Sequence, residues 1–175
     1  PFIDPPDPRA VKDALRLLDE LQALKGGRLT KMGRQMAAFP VDPRLARMLV
    51  ESNQQGALEE LLVVVSGLTV QDPRTRPMQH AQAADQQHAQ FLDPRSDFMA
   101  WLKLWRWLEG ERKTLSGNQF RRRLEKRFLN YLRIREWREV HRQLRLTCRD
   151  LGWRSNSQAA SFSAIHESIL SGSLS

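Results

Sequence analysis

Residues 132–151, LRIREWREVHRQLRLTCRDL, decide the fold, because two kinds of side chain repeat along this stretch with the period of a helix. The apolar set repeats at intervals of three and four residues and consists of Ile134, Trp137, Val140, Leu144, Cys148 and Leu151. An α-helix places residues at this spacing on one face. The stretch therefore predicts a long helix that is anchored in a core along one side.

Arginines form a second stripe on the same stretch. They are Arg135, Arg138, Arg142, Arg145 and Arg149, and we call them the arginine stripe. At about 100° per residue the two stripes point roughly 140° apart, so the arginines are expected to face away from the core. Like charges at this spacing repel by roughly 0.2–0.5 kcal/mol per neighbouring pair, which favours an anionic partner. A plain solvated face is the alternative, because Glu139 can pair with Arg135 and Arg142.

The positive charge is concentrated in one segment. Residues 101–154 hold 16 of the 28 lysines and arginines but 6 of the 20 acidic residues, a net charge of +10 in a chain whose net charge is +8. Such a basic segment is typical of proteins that bind the phosphate backbone of nucleic acids. All five tryptophans lie in this segment, and three of them fall on apolar stripes and are expected in the core: Trp101, Trp105 and Trp137.

The first 43 residues predict a small module of helices and short strands. Residues 5–24 repeat like a helix, and the glycine pair at 26–27 is expected to end it. A short strand at 29–30, a second helix at 30–38 and an extended piece at 39–41 are expected to follow. This order is typical of a winged-helix module.

From Pro43 onward the periodicity is helical almost throughout, so we predict a mainly α protein. Its expected parts are a winged-helix domain (the C-terminal part of one) at 1–43, a helical bundle at 44–153, and a serine-rich linker with one short helix at 154–175. Residues 57–68 are apolar on most sides and predict a buried central helix.

Composition and motifs exclude several functional classes. The longest apolar run, residues 61–65, is far shorter than the roughly 20 residues of a membrane span. A single cysteine, Cys148, excludes an internal disulfide framework and fits a reducing compartment. No phosphate-binding glycine loop, GxSxG motif or HExxH motif is present, so no catalytic site is expected. The four histidines lack metal-ligand spacing and are expected at the surface or in helix caps: His80, His88, His141 and His166.

The stretch around residue 40 resembles a known family. The residues that carry the likeness are Leu29-Thr30, Gly33-Arg34, Ala37, Phe39-Pro40-Val41-Asp42-Pro43-Arg44-Leu45-Ala46 and Met48-Leu49. They resemble the junction between the winged-helix and ratchet (helicase-associated) domains of DEAH-box RNA helicases. Later landmarks of the ratchet domain are similar to Arg76-Pro77, Ala84-Asp85 and Asp97. This chain most resembles the bacterial HrpA-like branch of the family at Leu129-Asn130-Tyr131-Leu132-Arg133, Arg135-Glu136-Trp137 and Gln143-Leu144.

The resemblance implies that this chain is an accessory part of a larger ATP-dependent RNA helicase, and we expect it to be a piece of a longer polypeptide. RecA-like domains outside the chain would bind ATP and Mg²⁺, whereas this part would hold no cofactor. The winged-helix and ratchet domains would dock on the RecA-like pair and close a channel around single-stranded or structured RNA. An OB-fold would follow the last short helix. We expect a cytoplasmic monomer without a membrane partner.

By position, six side chains are expected to contact RNA: Arg76, Asn130, Arg133, Arg138, Arg142 and Arg145. Asn130 is expected to act as a hydrogen-bonding neighbour and Arg76 as a loop contact. Arginine suits the role because its planar guanidinium binds phosphate through two hydrogen bonds and can stack on bases.

Two other functions are compatible with the same residues. A winged-helix DNA-binding regulator would place Lys31, Arg34 and Gln35 of the second helix in a major groove. A purely structural helical adaptor would leave the arginine stripe unused. Binding to single-stranded RNA, to a defined duplex DNA site, or to neither distinguishes the three.

Overall fold

The computed structural model describes residues 5–173, and helices dominate this part of the chain. Its α-helices are α1 (Pro8–Glu20), α2 (Lys31–Met36), α3 (Pro43–Gln55), α4 (Leu58–Thr69), α5 (Ala81–His88), α6 (Asp97–Thr114), α7 (Gly117–Lys126), α8 (Tyr131–Asp150) and α9 (Phe162–Gly172). Two short strands, β1 (Leu24–Lys25) and β2 (Arg28–Leu29), form an antiparallel hairpin. The prediction of a mainly α fold is confirmed. No helix in this range is long and apolar enough to cross a membrane.

The chain packs into two units with very different charge. The first unit combines the chain up to Leu61 with the chain from Thr147, and the second is Leu62–Leu146. The second unit has 17 lysines and arginines against 9 acidic residues, whereas the first has 11 of each. The whole net charge of +8 therefore belongs to the second unit.

A hairpin replaces the single strand expected near residue 29. Gly26 and Gly27, which were expected to end the first helix, instead form the turn between β1 and β2. Their φ angles are +59° and +77°, in the left-handed region that glycine adopts without strain. Two such residues in a row make the tight turn that matches the twist of paired strands. The extended piece expected at residues 39–41 is wrong, since these residues form bends.

Thr30 joins the hairpin to α2. Its side-chain oxygen accepts a hydrogen bond from the Gly33 amide (3.0 Å), which caps the helix, and its hydroxyl donates to the Gln22 carbonyl (2.6 Å). A Cβ atom on Gly33 would collide with the carbonyl oxygen of Ala23, so this approach of α2 requires glycine.

Helices α3 and α9 pack together within the first unit. They approach so closely that a Cβ atom on Gly172 would collide with the carbonyl oxygen of Arg44. Ile165 and Ile169 of α9 are buried. The short helix expected within residues 154–175 is therefore a packed part of the first unit.

A buried carboxylate holds the segment that precedes α9. Glu60 is 7% exposed and accepts hydrogen bonds from Asn156 Nδ2 and from the Ala160 amide, both at 2.9 Å. Asn156 Oδ1 in turn accepts from the Glu59 amide (2.9 Å). Because a buried charge is costly without such partners, these bonds tie the serine-rich segment to the start of α4.

The core of the second unit is built around Trp137. Its ring is fully buried, and its Nε1 donates to the Val63 carbonyl (3.1 Å) and to Ser66 Oγ (3.0 Å). The rings of Trp101 and Trp105 lie against it edge-on, with centroids 5.1 and 4.9 Å away. The prediction that these three tryptophans belong to the core is confirmed, although Trp105 is only half-buried.

Candidate nucleic-acid interface

The arginine stripe lies on α8, but its angle to the core differs from the prediction. The buried residues of α8 are Ile134, Trp137, His141, Leu144 and Cys148. His141 thus takes the place expected for Val140, which is half-buried, and Leu151 lies beyond the helix. Each arginine of the stripe directly follows one of these buried residues. The two stripes are therefore about 100° apart, and the arginines lie at the edge of the core rather than behind it.

His141 is the member of the buried stripe that the sequence did not predict. It was expected at the surface or in a cap, but it is 8% exposed, and its ring lies 4.4 Å from the Trp105 ring between centroids. An imidazole is amphipathic, so its burial depends on what it packs against. Here that neighbour is Trp105, which lies on α6.

A surface groove of about 710 Å³ runs along the edge of α8. Four members of the stripe line it: Arg135, Arg138, Arg142 and Arg145. The other lining residues are Trp105 and Glu109 from α6, and Leu132, Glu136, Glu139 and His141 from α8. We call this the arginine groove. The structure thus brings together three of the six predicted RNA contacts, together with Arg135.

Carboxylates pair with the guanidinium groups of Arg138 and Arg142. Arg138 Nε lies 3.3 Å from Glu109 Oε1 on α6. Arg142 donates two hydrogen bonds to Glu139, from Nε (3.0 Å) and from Nη2 (2.6 Å). The hydrogen bond from Arg142 lowers the pKa of Glu139, and the same bond raises the pKa of Arg142, so both groups stay charged at neutral pH.

The Arg142–Glu139 pair is open to solvent, with side chains 59% and 51% exposed. Water and salt screen such a pair, so it contributes little to stability and exchanges readily with other ions. Arg135 is exposed and makes no hydrogen bond or ion pair within residues 5–173. The proposed pairing of Glu139 with both neighbours is thus present for Arg142 alone.

Asn130 and Arg133 lie at the start of α8, outside the arginine groove. Asn130 Oδ1 accepts a hydrogen bond from the Arg133 amide (3.0 Å), which caps the helix. Arg133 Nη1 donates to the carbonyl of Asp72 (3.0 Å), and the Asn130 amide donates to the carbonyl of Pro73 (2.7 Å). Both residues therefore fasten α8 to the loop that follows α4.

Arg76 lies in a different surface groove, of about 510 Å³, with Asp85 and His88. Its guanidinium donates two hydrogen bonds to Asp85, at 2.9 and 3.0 Å, and these bonds lower the pKa of that carboxyl group. Both side chains are more than half exposed. The structure therefore does not place Arg76 with the arginines of α8.

Sequence reasoning missed two residues beside these sites. Leu132 is 64% exposed and lines the arginine groove although it is apolar. Tyr131 lies under the guanidinium of Arg121, whose Cζ is 4.5 Å from the ring centroid. The sequence offers one indication for Leu132, which is an apolar residue outside the buried stripe of α8. Nothing in the sequence indicates that Tyr131 contacts a residue of another helix.

Within the described range, no group of three or more histidine, cysteine, aspartate or glutamate side chains is placed to hold a metal ion. The chemistry of the grooves is that of guanidinium groups, exposed apolar side chains and exchangeable carboxylates. Of these groups, guanidinium can pair with anions and stack on flat rings.

Comparison with protein families agrees with the mainly α fold. Residues 14–41 match the winged-helix model of the helicase-associated domain (HA2), and residues 42–101 match its ratchet-like model. The chain belongs to the HA2 helicase-associated family.

Three individual proteins with similar sequences are all RNA helicases. The chain is 48% identical over its whole length to the ATP-dependent RNA helicase HrpA homolog of Haemophilus influenzae, and 44% identical to ATP-dependent RNA helicase HrpA of Escherichia coli. It is 40% identical, over 59% of its length, to the pre-mRNA-splicing factor ATP-dependent RNA helicase prp22 of Schizosaccharomyces pombe. The chain spans 14% of the length of the two HrpA proteins and 9% of prp22.

Proposed function

We propose that this chain is the accessory RNA-binding region of an ATP-dependent DEAH-box RNA helicase, and that it closes a channel around single-stranded RNA. RecA-like domains outside these residues would bind ATP and Mg²⁺ and hydrolyse the nucleotide. The chain itself contributes RNA contacts and surfaces for the RecA-like domains and an OB-fold. The working protein is a cytoplasmic monomer.

The arginine groove carries this proposal. Its four arginines lie on one helix, and that helix is immobilised by the buried stripe beside them. From Arg135 to Arg145 the helix rises about 15 Å, at 1.5 Å per residue, which is long enough for several phosphates of an extended strand. A rigid row of cations binds a backbone without reading its sequence, as a strand that moves past the site requires.

The glutamates of the groove limit how tightly RNA is held. A phosphate that takes over the hydrogen bonds these carboxylates now accept would displace Glu109 from Arg138 or Glu139 from Arg142. Exchange between a carboxylate and a phosphate costs less than baring a guanidinium, because the charge stays paired throughout. We therefore expect weak, rapidly reversible binding, which suits stepwise movement.

Salt dependence gives a quantitative expectation. Each phosphate neutralised on single-stranded nucleic acid contributes about −0.7 to the slope of log K against log salt. Contacts from all four arginines of the groove would thus give a slope of about −3.

The decisive test is the double change Arg142→Glu with Arg145→Glu, measured by fluorescence anisotropy with a single-stranded oligouridine. We expect the affinity to fall at least about tenfold at low salt, because two phosphate contacts become repulsive. A matched control is Arg9→Glu with Arg16→Glu, the same charge change on exposed residues of α1. Equal losses in the two double variants, with circular dichroism showing intact helices, would reject the arginine groove as the contact surface.

The DNA-binding regulator is not favoured. Its recognition helix would be α2, which has six residues and belongs to the unit with equal numbers of basic and acidic residues. A long-range attraction to duplex DNA would need an excess of positive charge there.

A further inference from the structure

A small recess lies beside the arginine groove, at the start of α8. It has a volume of about 370 Å³, and α7 and α8 form two of its walls. The lining residues that matter here are Arg121, Glu125, Asn130, Tyr131 and Leu132. None of the sequence predictions for the arginine stripe accounts for it.

Two of the lining residues, Arg121 and Tyr131, form a cation–π pair. The Arg121 guanidinium lies over the Tyr131 ring, 4.5 Å from its centroid, and makes no hydrogen bond or ion pair within residues 5–173. Tyr131 is half-buried at the first position of α8, and Phe128, with φ of +54°, turns the chain towards it. A guanidinium on an aromatic ring extends the flat surface on which a further π system can stack.

Polar groups at the rim favour a neutral guest over a phosphate. The opposite charges of Arg121 and Glu125 cancel, so the side chains that line the recess carry no net charge of their own. Asn130 uses its Oδ1 to cap α8, while its Nδ2 makes no hydrogen bond among the described residues. The rim thus offers an amide donor and a carboxylate acceptor, the groups that pair with the edge of a nucleobase.

Leu132 links the recess to the arginine groove, because it lines both and is 64% exposed. A strand whose phosphates lie on the arginines of α8 would pass this leucine at the N-terminal end of the helix. We infer that the recess is a base-binding subsite that takes one unpaired nucleobase of that strand on the Arg121–Tyr131 pair. This inference rests on the proposed function, since it needs a single strand in the arginine groove.

The test compares two ligands that share a backbone. One is a single-stranded oligouridine, and the other is an oligomer of equal length that has ribose and phosphate but no bases. Stacking of one base strengthens binding roughly 5- to 150-fold, so we expect the oligouridine to bind at least about fivefold more tightly. Tyr131→Leu and Arg121→Gln should each bring this ratio close to one. The Tyr131→Leu variant should also bind the base-free oligomer with unchanged affinity.

Two control variants test whether the preference for the oligouridine comes from the recess. Tyr131→Phe keeps the ring and should keep the ratio. Arg122→Gln removes the same charge from the neighbouring exposed position of α7, which does not line the recess, and should weaken both ligands alike. As a measurement on the unchanged protein, a 5-iodouridine oligomer should photocrosslink to Tyr131, which mass spectrometry of the digested protein would identify.

The outcomes separate the two claims. Equal affinity for the two oligomers would overturn the base-binding subsite but leave the arginine groove in place. A ratio that survives both Tyr131→Leu and Arg121→Gln, or a crosslink only at other residues, would also overturn it. Failure to bind either oligomer would instead overturn the proposed function, and the subsite with it.

Discussion

Arg142 and Glu139, three residues apart on α8, are joined by two hydrogen bonds of 3.0 and 2.6 Å across the floor of the arginine groove. The glutamate therefore stands where a phosphate oxygen would bind. Because the pair is exposed, it exchanges with other anions rather than stabilising the fold. Under the proposed function, the Glu139 carboxylate would compete with RNA phosphates for Arg142.

Removing this competitor should strengthen RNA binding. We expect Glu139→Gln to raise the affinity for single-stranded oligouridine by about two- to fivefold at low salt, since an exposed pair of this kind is weak. The measurement is fluorescence anisotropy. Glu136→Gln is the matched control, because Glu136 is also exposed and lines the groove but has no arginine partner among the described residues. If the two variants gain equally, net charge alone explains the effect and the competition between Glu139 and phosphate is excluded.

Trp137→Phe should destabilise the second unit. The change removes the donor that bonds to the Val63 carbonyl and Ser66 Oγ, and it leaves a cavity in a fully buried site. We expect the free energy of unfolding to fall by about 2–4 kcal/mol, as judged from urea titrations. Trp107→Phe is the control, because Trp107 is half-buried and its indole nitrogen has no partner in the described range. That variant should lose less than about 1.5 kcal/mol.

Gly172→Ala should loosen α9. The added Cβ would collide with the backbone carbonyl of Arg44, which cannot move without bending α3. We expect a loss of about 1–3 kcal/mol in the first unit, measured by hydrogen exchange of the α9 amides. Gly110→Ala has open space around its Cβ position on α6, so it should be neutral or stabilise by up to about 1 kcal/mol. An unchanged exchange rate in Gly172→Ala would show that α9 is not held against α3.

Acid should destabilise the turn before α6 through Asp93. Its carboxylate accepts hydrogen bonds from the Arg95 side chain (3.1 and 3.0 Å) and amide (2.9 Å), and these bonds lower its pKa from 3.8 to about 2. A carboxyl group whose pKa is lowered by folding stabilises the folded state above its unfolded pKa, and this stabilisation is lost as the pH falls through the folded value. The window is therefore from about pH 4 down to about pH 2.

Asp93→Asn provides the measurement. Thermal unfolding should show the unchanged protein to be more stable than the variant at pH 6, and the difference should shrink steadily below pH 4. A difference that stays constant down to pH 2 would mean that the carboxylate is not the source of the stabilisation. Asp97→Asn, which removes the same charge at the first position of α6, is the matched control in the same segment.

Several elements could be predicted because their signals are local. Asp42 caps α3 with a hydrogen bond to the Arg44 amide (2.8 Å), directly before a proline at the first helical position. Ser96 caps α6 in the same way, through the Phe98 amide (3.2 Å). Such caps join residues two positions apart, so the sequence alone displays both partners.

The sequence predictions are wrong where the structure of a residue depends on a contact with a residue far away in the chain. The prediction that Gly26 and Gly27 end a helix is wrong, because two-residue strands have no periodicity that would indicate a hairpin. His141 was expected at the surface, because its burial depends on Trp105 of another helix. The buried stripe therefore contains His141 in place of Val140 and Leu151, and this change of members reduces its angle to the arginines.

The amino-acid sequence was sufficient for the helical periods, the caps, the clustering of positive charge and the row of arginines, since all of these depend on residues within a few positions of one another. Packing settled which guanidinium groups share a groove, that Glu109 lies against Arg138, and that Arg133 bonds to a carbonyl 61 residues away. Those relationships join helices far apart in the chain. Their geometry is set by how the buried faces interlock, which no single stretch of sequence contains.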